Sequence, residues 1–119
     1  MPKGTVEDAS NVPPEVRAKI DEMVRRVVNG FHPEKIILFG SYARGEAGPD
    51  SDVDLLVVLQ GTFSKTEEAI KIRMVLRWMG LSKDVVVATP EELEAQKDVV
   101  GTVIYPAVHE GKVLYERTA

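Results

Sequence analysis

The run DVDLLVVL at residues 52–59 is the feature that most constrains the fold of this chain. After Asp54 every residue in it is apolar, so a strand formed here must be covered on both of its faces. Two other short apolar runs, at residues 35–39 and 84–88, also predict strands. Because helix-like stretches separate the three runs, the sequence predicts an α/β sandwich.

The first helix is predicted over residues 13–29. Apolar residues recur at helical spacing there, Asn11 precedes the stretch as a candidate cap, and Gly30 follows it as a stop signal. The residues SYARG at 41–45 suit one short helical turn, and GPDS at 48–51 suits a turn between elements.

The second half of the chain carries capping signals. Ser64 with Glu67 indicates a helix over 65–79 with Gly80 as its stop, and TPEE at 89–92 indicates the start of another. A further helical stretch is predicted over 99–110, in which Pro106 implies a kink or a break. The residues KVLYE at 112–116 are expected to add an edge strand, which gives a sheet of three to four strands.

Composition narrows the classes of protein that fit. The chain has 119 residues, no cysteine, a net charge of -4 and a pI near 5.2. These values predict one domain over 12–119 behind a flexible tail at 1–11, and they exclude disulfides and zinc–thiolate sites. An acidic chain is not expected to bind nucleic acid. Since no apolar run approaches the roughly 20 residues that span a bilayer, we expect no membrane contact and a cytoplasmic location.

Asp52 and Asp54 stand at the entry of the buried strand, where β-propensity is poor. On a strand they would project from one face, roughly 7 Å apart along the chain. An isolated pair of this kind would merely mark a strand entry. However, Asp84 opens the third strand in the same way, so three carboxylates meet at one edge if the two strands are neighbours. Such a trio suits two Mg²⁺ ions roughly 4 Å apart, as in phosphoryl or nucleotidyl transfer.

A Gly-Ser turn precedes the carboxylates. Gly40 permits a close approach of the backbone to a ligand, and Ser41 either binds phosphate, caps the short helix, or does both. Arg44 either contacts phosphate or forms a surface ion pair with Asp50 or Glu46. The sequence excludes two better-known motifs. Gly45 is not followed by the Lys of a P-loop, and an EF-hand loop that began at Asp50 would lack its glycine and its glutamate.

The order of these residues is that of a known family. GSYARG at 40–45, SDVDL at 51–55 and Asp84 together resemble the signature of the DNA polymerase beta-like nucleotidyltransferase superfamily. More narrowly, the chain looks like the minimal nucleotidyltransferases, the MNT-domain proteins, over nearly its whole length outside 1–11. Tyr42 departs from the pattern, because relatives often carry Arg there.

The resemblance implies a nucleotidyltransferase fold with a small mixed sheet flanked by helices. It also implies a two-metal transfer of a nucleoside monophosphate, with ATP as the expected donor. Gly40 and Ser41 would hold the β- and γ-phosphates, and Asp52 and Asp54 would hold both Mg²⁺ ions. Asp84 would share the second ion and help to deprotonate the acceptor hydroxyl.

The resemblance also implies a partner. MNT proteins are commonly paired with a helical HEPN-domain protein and act as its antitoxin, in known cases by adding AMP to a tyrosine. Two alternatives stay open: an adenylyltransferase for small molecules such as aminoglycosides, and an antitoxin that neutralises its partner by contact alone. Either a homo-oligomer or a hetero-oligomer fits the sequence.

Other residues are expected to be structural. Trp78 follows Ile70 and Met74 at a spacing of four, which predicts a core stripe on the second long helix. His32 falls in a predicted loop, and His109 falls near a helix C-terminus, where a cation is stabilising. The basic residues of the same helix are typical of a solvated face, although they could also meet an acidic partner or the triphosphate: Lys65, Lys71, Arg73 and Arg77.

Overall fold

The computed structural model describes residues 12–118, so the predicted tail and the candidate cap Asn11 lie outside the described residues. Nine elements follow one another: α1 (Pro14–Phe31), β1 (Lys35–Phe39), α2 (Ser41–Arg44), β2 (Val53–Val58), α3 (Lys65–Val75), β3 (Lys83–Ala88), α4 (Pro90–Gln96), α5 (Ile104–Glu110) and β4 (Lys112–Glu116). No helix among these residues is long and apolar enough to cross a membrane.

The strands form one mixed sheet of four, in the order β3-β2-β1-β4. β1 pairs antiparallel with both β2 and β4, whereas β2 and β3 are parallel and are joined by the crossover through α3. This confirms the α/β class, the mixed sheet and the edge position of the strand at 112–116. The second and third strands are neighbours, which is the condition under which the three carboxylates share an edge.

Helices cover both faces of the sheet, as the apolar run in β2 requires. Leu55 and Val57 face a core that includes Met23 of α1 and Ile72 of α3. Residues of β2 with the opposite orientation, such as Leu56, face a smaller core. The side chains that this smaller core receives from α5 are those of Ile104 and Ala107.

Three helix boundaries differ from the predictions. α1 continues through Gly30 to Phe31, which packs against the core, and His32 ends the helix at φ 51. α3 ends at Val75, before Gly80, and Trp78 has φ 67. α5 begins only at Ile104, which places Pro106 in the first turn, where a missing N–H costs no intrahelical hydrogen bond.

The capping signals act largely as predicted. Thr89 forms the reciprocal capping box of α4 with Glu92. At the start of α3 the hydroxyl of Ser64 accepts a hydrogen bond from the backbone N–H of Glu67, at 3.2 Å. These caps fix where α3 begins after β2 and where α4 begins after β3.

Candidate active site

The candidate site lies at the edge of the sheet where β1 ends and where β2 and β3 begin. Asp54 pairs in register with Phe39 of β1 on one side and with Asp84 of β3 on the other. Asp52 directly precedes the first residue of β2, and Gly40 directly follows Phe39. The sheet thus brings the Gly-Ser turn and the three predicted carboxylate positions to one edge.

Gly40 lies against Asp54. It has φ 76 and ψ -155, a conformation that only glycine adopts readily. A β-carbon built on Gly40 would lie 2.1 Å from Oδ2 of Asp54, well inside the van der Waals distance. The absence of a side chain at residue 40 therefore leaves the space in which the Asp54 carboxylate stands.

The charged form of Asp54 is disfavoured by its surroundings. Burial raises the pKa of its carboxyl group, and the negative charges of Asp84 and Asp52 raise it further. The positive charge of Arg44 acts in the opposite direction on the same pKa. The folded protein therefore disfavours the charged form of the Asp54 carboxyl group, and a bound cation would offset this cost.

Asp84 has a counter-ion within the protein. Nη2 of Arg73, on α3, donates a hydrogen bond of 2.9 Å to Oδ1 of Asp84. Among residues 12–118, no group of three or more acidic or histidine side chains is close enough to hold a metal ion. The three carboxylates share the sheet edge: Asp54 pairs in register with Asp84, the charges of Asp84 and Asp52 both act on Asp54, and Arg73 holds Asp84 in an ion pair.

Arg44 is engaged by acidic side chains. Its Nε donates to Glu46 at 2.9 Å, and its Nη1 lies 3.6 Å from a carboxylate oxygen of Glu110 on α5. Of the two ion pairs predicted for Arg44, the structure contains the one with Glu46. Both contacts are solvent-exposed, so a phosphate that approached the turn could compete for the guanidinium group.

Ser41 is the first residue of α2 and not its cap. The cap position belongs to Gly40, and no side chain caps the helix by a hydrogen bond. The prediction of a capping role for Ser41 is therefore wrong. Tyr42, the departure from the family pattern, is buried with Ala43 in the larger core, which anchors α2 to the sheet.

Comparison with known proteins decides the family. The family described as "Nucleotidyltransferase domain" matches residues 17–106, a range that includes every candidate site residue. The chain belongs to the nucleotidyltransferase domain family. No curated protein matches the chain.

Solved structures share the nucleotidyltransferase fold. One, crystallised as a candidate nucleotidyltransferase from Sulfolobus solfataricus, is 24% identical with a TM-score of 0.62, and the match covers 97% of this chain and 91% of that one. Another is a toxin–antitoxin structure with AMP-PNP, 23% identical with a TM-score of 0.50, covering 82% of this chain and 73% of that one. At these identities the similarity establishes the fold alone.

One residue of this nucleotidyltransferase domain contradicts its predicted position, and another makes a contact that was not predicted. Trp78 is 92% exposed, so its assignment to the core is wrong, and the buried stripe of α3 is formed by other residues. Arg73 is exposed on its helix as predicted, and it also contacts Asp84, a predicted metal ligand. No local signal could reveal that contact, because the two residues belong to different elements.

His109 stacks on Tyr105 and contacts the carbonyl oxygen of Lys97, in keeping with a structural role.

Proposed function

We propose that this protein transfers a nucleoside monophosphate, AMP from ATP, to a hydroxyl group of a partner protein in a Mg²⁺-dependent reaction. The observation that carries the proposal is the sheet edge where Asp54 stands between Asp84 and a glycine without room for a side chain. This edge occurs in a chain of the nucleotidyltransferase domain family. Membership of a fold family is not by itself evidence of activity. The evidence here is the site, where charged carboxylates stand beside a glycine that leaves room for them.

The donor set at the edge suits Mg²⁺. Carboxylate oxygens are the hard ligands that this ion prefers, and the pKa of Asp54 is raised by burial and further by the charges of Asp84 and Asp52. Asp52 and Asp54 would hold two ions, and Asp84 would share the second once it is released from Arg73. Bound Mg²⁺ would neutralise the triphosphate and the charge that develops in the transition state.

The residues of the chain would act on both substrates. Gly40 and Ser41 would bind the β- and γ-phosphates, where the glycine backbone allows a close approach. Arg44 would offer its guanidinium group to a phosphate in place of Glu46. The acceptor oxygen would bond to the α-phosphorus as the bond to the β-phosphate oxygen breaks. Pyrophosphate would then leave, and Asp84 would help to take the hydroxyl proton.

The acceptor is proposed to be a toxin, and specifically a HEPN-domain protein. A toxin–antitoxin protein of the same fold was crystallised with AMP-PNP, an analogue of ATP, which supports both the donor and the class of partner. A domain of this size uses most of its apolar surface for its own core, so the acceptor is best supplied by another chain. The antitoxin role rests on this support and on the family resemblance.

A second candidate is neutralisation of the toxin by contact alone. The ion pair between Arg73 and Asp84 favours it, because this pair occupies one of the three carboxylates that transfer requires. The two candidates differ in a single outcome: covalent modification of the partner.

The test is to incubate the protein with labelled ATP, Mg²⁺ and the protein encoded beside its gene, followed by mass spectrometry of the partner. A gain of one or more AMP units, absent with Asp52→Asn, is the expected result. An unmodified partner that is still inhibited in a stable complex would establish neutralisation by contact. Efficient modification of an aminoglycoside by this chain alone would contradict both functions.

A further inference from the structure

α3 and the turn after it carry two apolar stripes, and the sheet uses only one of them. Ile72 and Leu76 are fully buried in the larger core, with Ala69 packed against it. The second stripe, Ile70 and Met74 one turn apart on α3 with Trp78 in the turn that follows, is exposed to solvent. Since an ordinary surface helix is polar on its outer side, this second stripe needs a separate explanation.

The exposure of the second stripe is large. Ile70 is 49% exposed, Met74 is 51% exposed and Trp78 is 92% exposed. Trp78 also has φ 67, in the left-handed region that bulky residues rarely adopt and glycine adopts without strain. An exposed aromatic residue in a strained conformation contributes nothing to the core, so its role is best sought outside the chain.

The stripe is flanked by positive charge. Residues 70–78 contain Lys71, Arg73 and Arg77 and no acidic residue. Lys71 pairs with Glu68 and Arg73 pairs with Asp84, so the charge that is left without a partner among the described residues is that of Arg77. Arg77 is exposed, and within residues 12–118 it forms no ion pair. We call this surface, formed by Ile70, Met74 and Trp78 with the three cations, the α3 outer face.

The α3 outer face is continuous with the candidate active site. Arg73 lies on it and donates to Asp84 at the sheet edge. A protein that docked here would therefore be held beside the carboxylates, and its acidic groups would compete with Asp84 for Arg73.

We propose that the α3 outer face is the docking surface for the acceptor protein, which binds it through an apolar groove rimmed by carboxylates. This inference rests on the proposed function, since the acceptor is the partner of that same site. Tryptophan and arginine are the residues that most often dominate the energy of protein interfaces. Arg77, and Arg73 once an acidic group of the partner replaces Asp84, favour an acidic partner and speed its encounter.

The experiment uses the fact that Trp78 is the only tryptophan of the chain. The chain is labelled with 5-fluorotryptophan, and its ¹⁹F signal is followed as the unlabelled protein encoded beside its gene is added. We expect the signal to move on binding. Calorimetric titration should show a Kd raised about tenfold or more by Trp78→Gly, the loss expected at an interface hot spot. Arg77→Gln should weaken binding less than Trp78→Gly does. Its effect should be greater at low salt than at high salt, because salt screens exposed charges.

Trp78→Gly separates docking from a structural role. Because glycine suits φ 67, this variant should melt at or above the wild-type temperature while it binds the partner more weakly. If the variant does not fold, Met74→Ser provides the same binding test on the preceding turn. Val100→Ala is the matched control, since Val100 is 77% exposed but lies between α4 and α5, outside the α3 outer face.

Weaker partner binding by Trp78→Gly supports the inference whether or not AMP is transferred. If the partner binds and is modified equally by both proteins, the inference is wrong and the proposed function stands. If the wild-type chain neither binds nor modifies the partner, both are wrong. Self-association of the chain that Trp78→Gly abolishes would assign the face to a second copy. Binding of single-stranded RNA lost in the same variant would assign it to nucleic acid, and either result overturns the inference.

Discussion

Gly40 and Asp54 depend on each other for space. The carboxylate of Asp54 stands where a side chain at residue 40 would have to be, with 2.1 Å between Oδ2 and an ideal β-carbon. The two residues are fourteen apart in sequence, and the antiparallel pairing of β1 with β2 brings them together. The glycine of the Gly-Ser turn thus positions a carboxylate as well as opening the backbone to a ligand.

Gly40→Ala tests this dependence. The β-carbon should force the Asp54 carboxylate to move, and the backbone conformation, which is essentially restricted to glycine, should cost alanine about 1–3 kcal/mol of stability. We expect a lower Tm together with a large loss of nucleotidyl transfer, measured on the same preparation. Gly48→Ala is the control, since a β-carbon there meets nothing within 4 Å. Transfer at the wild-type rate by Gly40→Ala would show that the position of Asp54 is not critical.

Asp54→Asn should separate activity from stability. Loss of the charge should lower transfer by about a hundredfold or more, because charge neutralisation at the metal site is a main catalytic term. Unfolding at pH 7 should require more denaturant than for the wild type, because burial and repulsion penalise the charged carboxylate. Asp50→Asn, at an exposed turn position, should change neither quantity. Comparable turnover by Asp54→Asn and the wild type would contradict the two-metal site.

The raised pKa of Asp54 also predicts a pH dependence of stability. The folded protein binds this proton more tightly than the unfolded chain, whose carboxyl keeps its ordinary value of 3.8. The contribution of Asp54 to the free energy of unfolding should therefore decrease as pH rises from 3.8 to the raised value. Denaturant titrations across this window, with Asp54→Asn for comparison, should show the slope in the wild type alone. Identical pH profiles would show that the pKa is not raised.

Arg73 should restrain metal binding at Asp84. Exposed ion pairs contribute about 0.2–1 kcal/mol, so Arg73→Met should raise the affinity for Mg²⁺ up to about fivefold. Calorimetric titration with Mg²⁺ measures this change directly. Lys71→Met removes a charge from the same helix but from a pair with Glu68, and it should have a smaller effect. An unchanged or weaker affinity in Arg73→Met would exclude a restraining role.

Ser41→Ala should affect nucleotide binding and leave stability nearly unchanged. Because Gly40 holds the cap position, loss of the hydroxyl should change stability by no more than about 0.5 kcal/mol. Loss of a hydrogen bond to a charged phosphate should raise the KM for the triphosphate by about tenfold or more. Thermal melts and initial rates on one preparation measure both. A lowered Tm with unchanged kinetics would leave Ser41 a structural role only.

Local sequence patterns were enough to predict the strands, the order of the elements and the order of the site residues. β2 is apolar at every position after Asp54, and such a run forms a strand only between two layers, so the α/β class followed from local pattern. The capping box of Thr89 is likewise local, since its members lie three residues apart. The carboxylates were recognisable because charge at the entry of a buried strand is rare.

The surfaces that these elements share could be seen only in the folded chain. Residues 65–79 are apolar on two sides, so helical spacing cannot tell whether Ile72 or Trp78 faces the sheet. The packing of α3 against β2 and β3 buries Ile72 and leaves Trp78 in solvent. Neither the pair of Arg73 with Asp84 nor the contact of Gly40 with Asp54 has a local signature. Both arise from strand register and helix placement, which depend on interactions between residues that are distant in the chain.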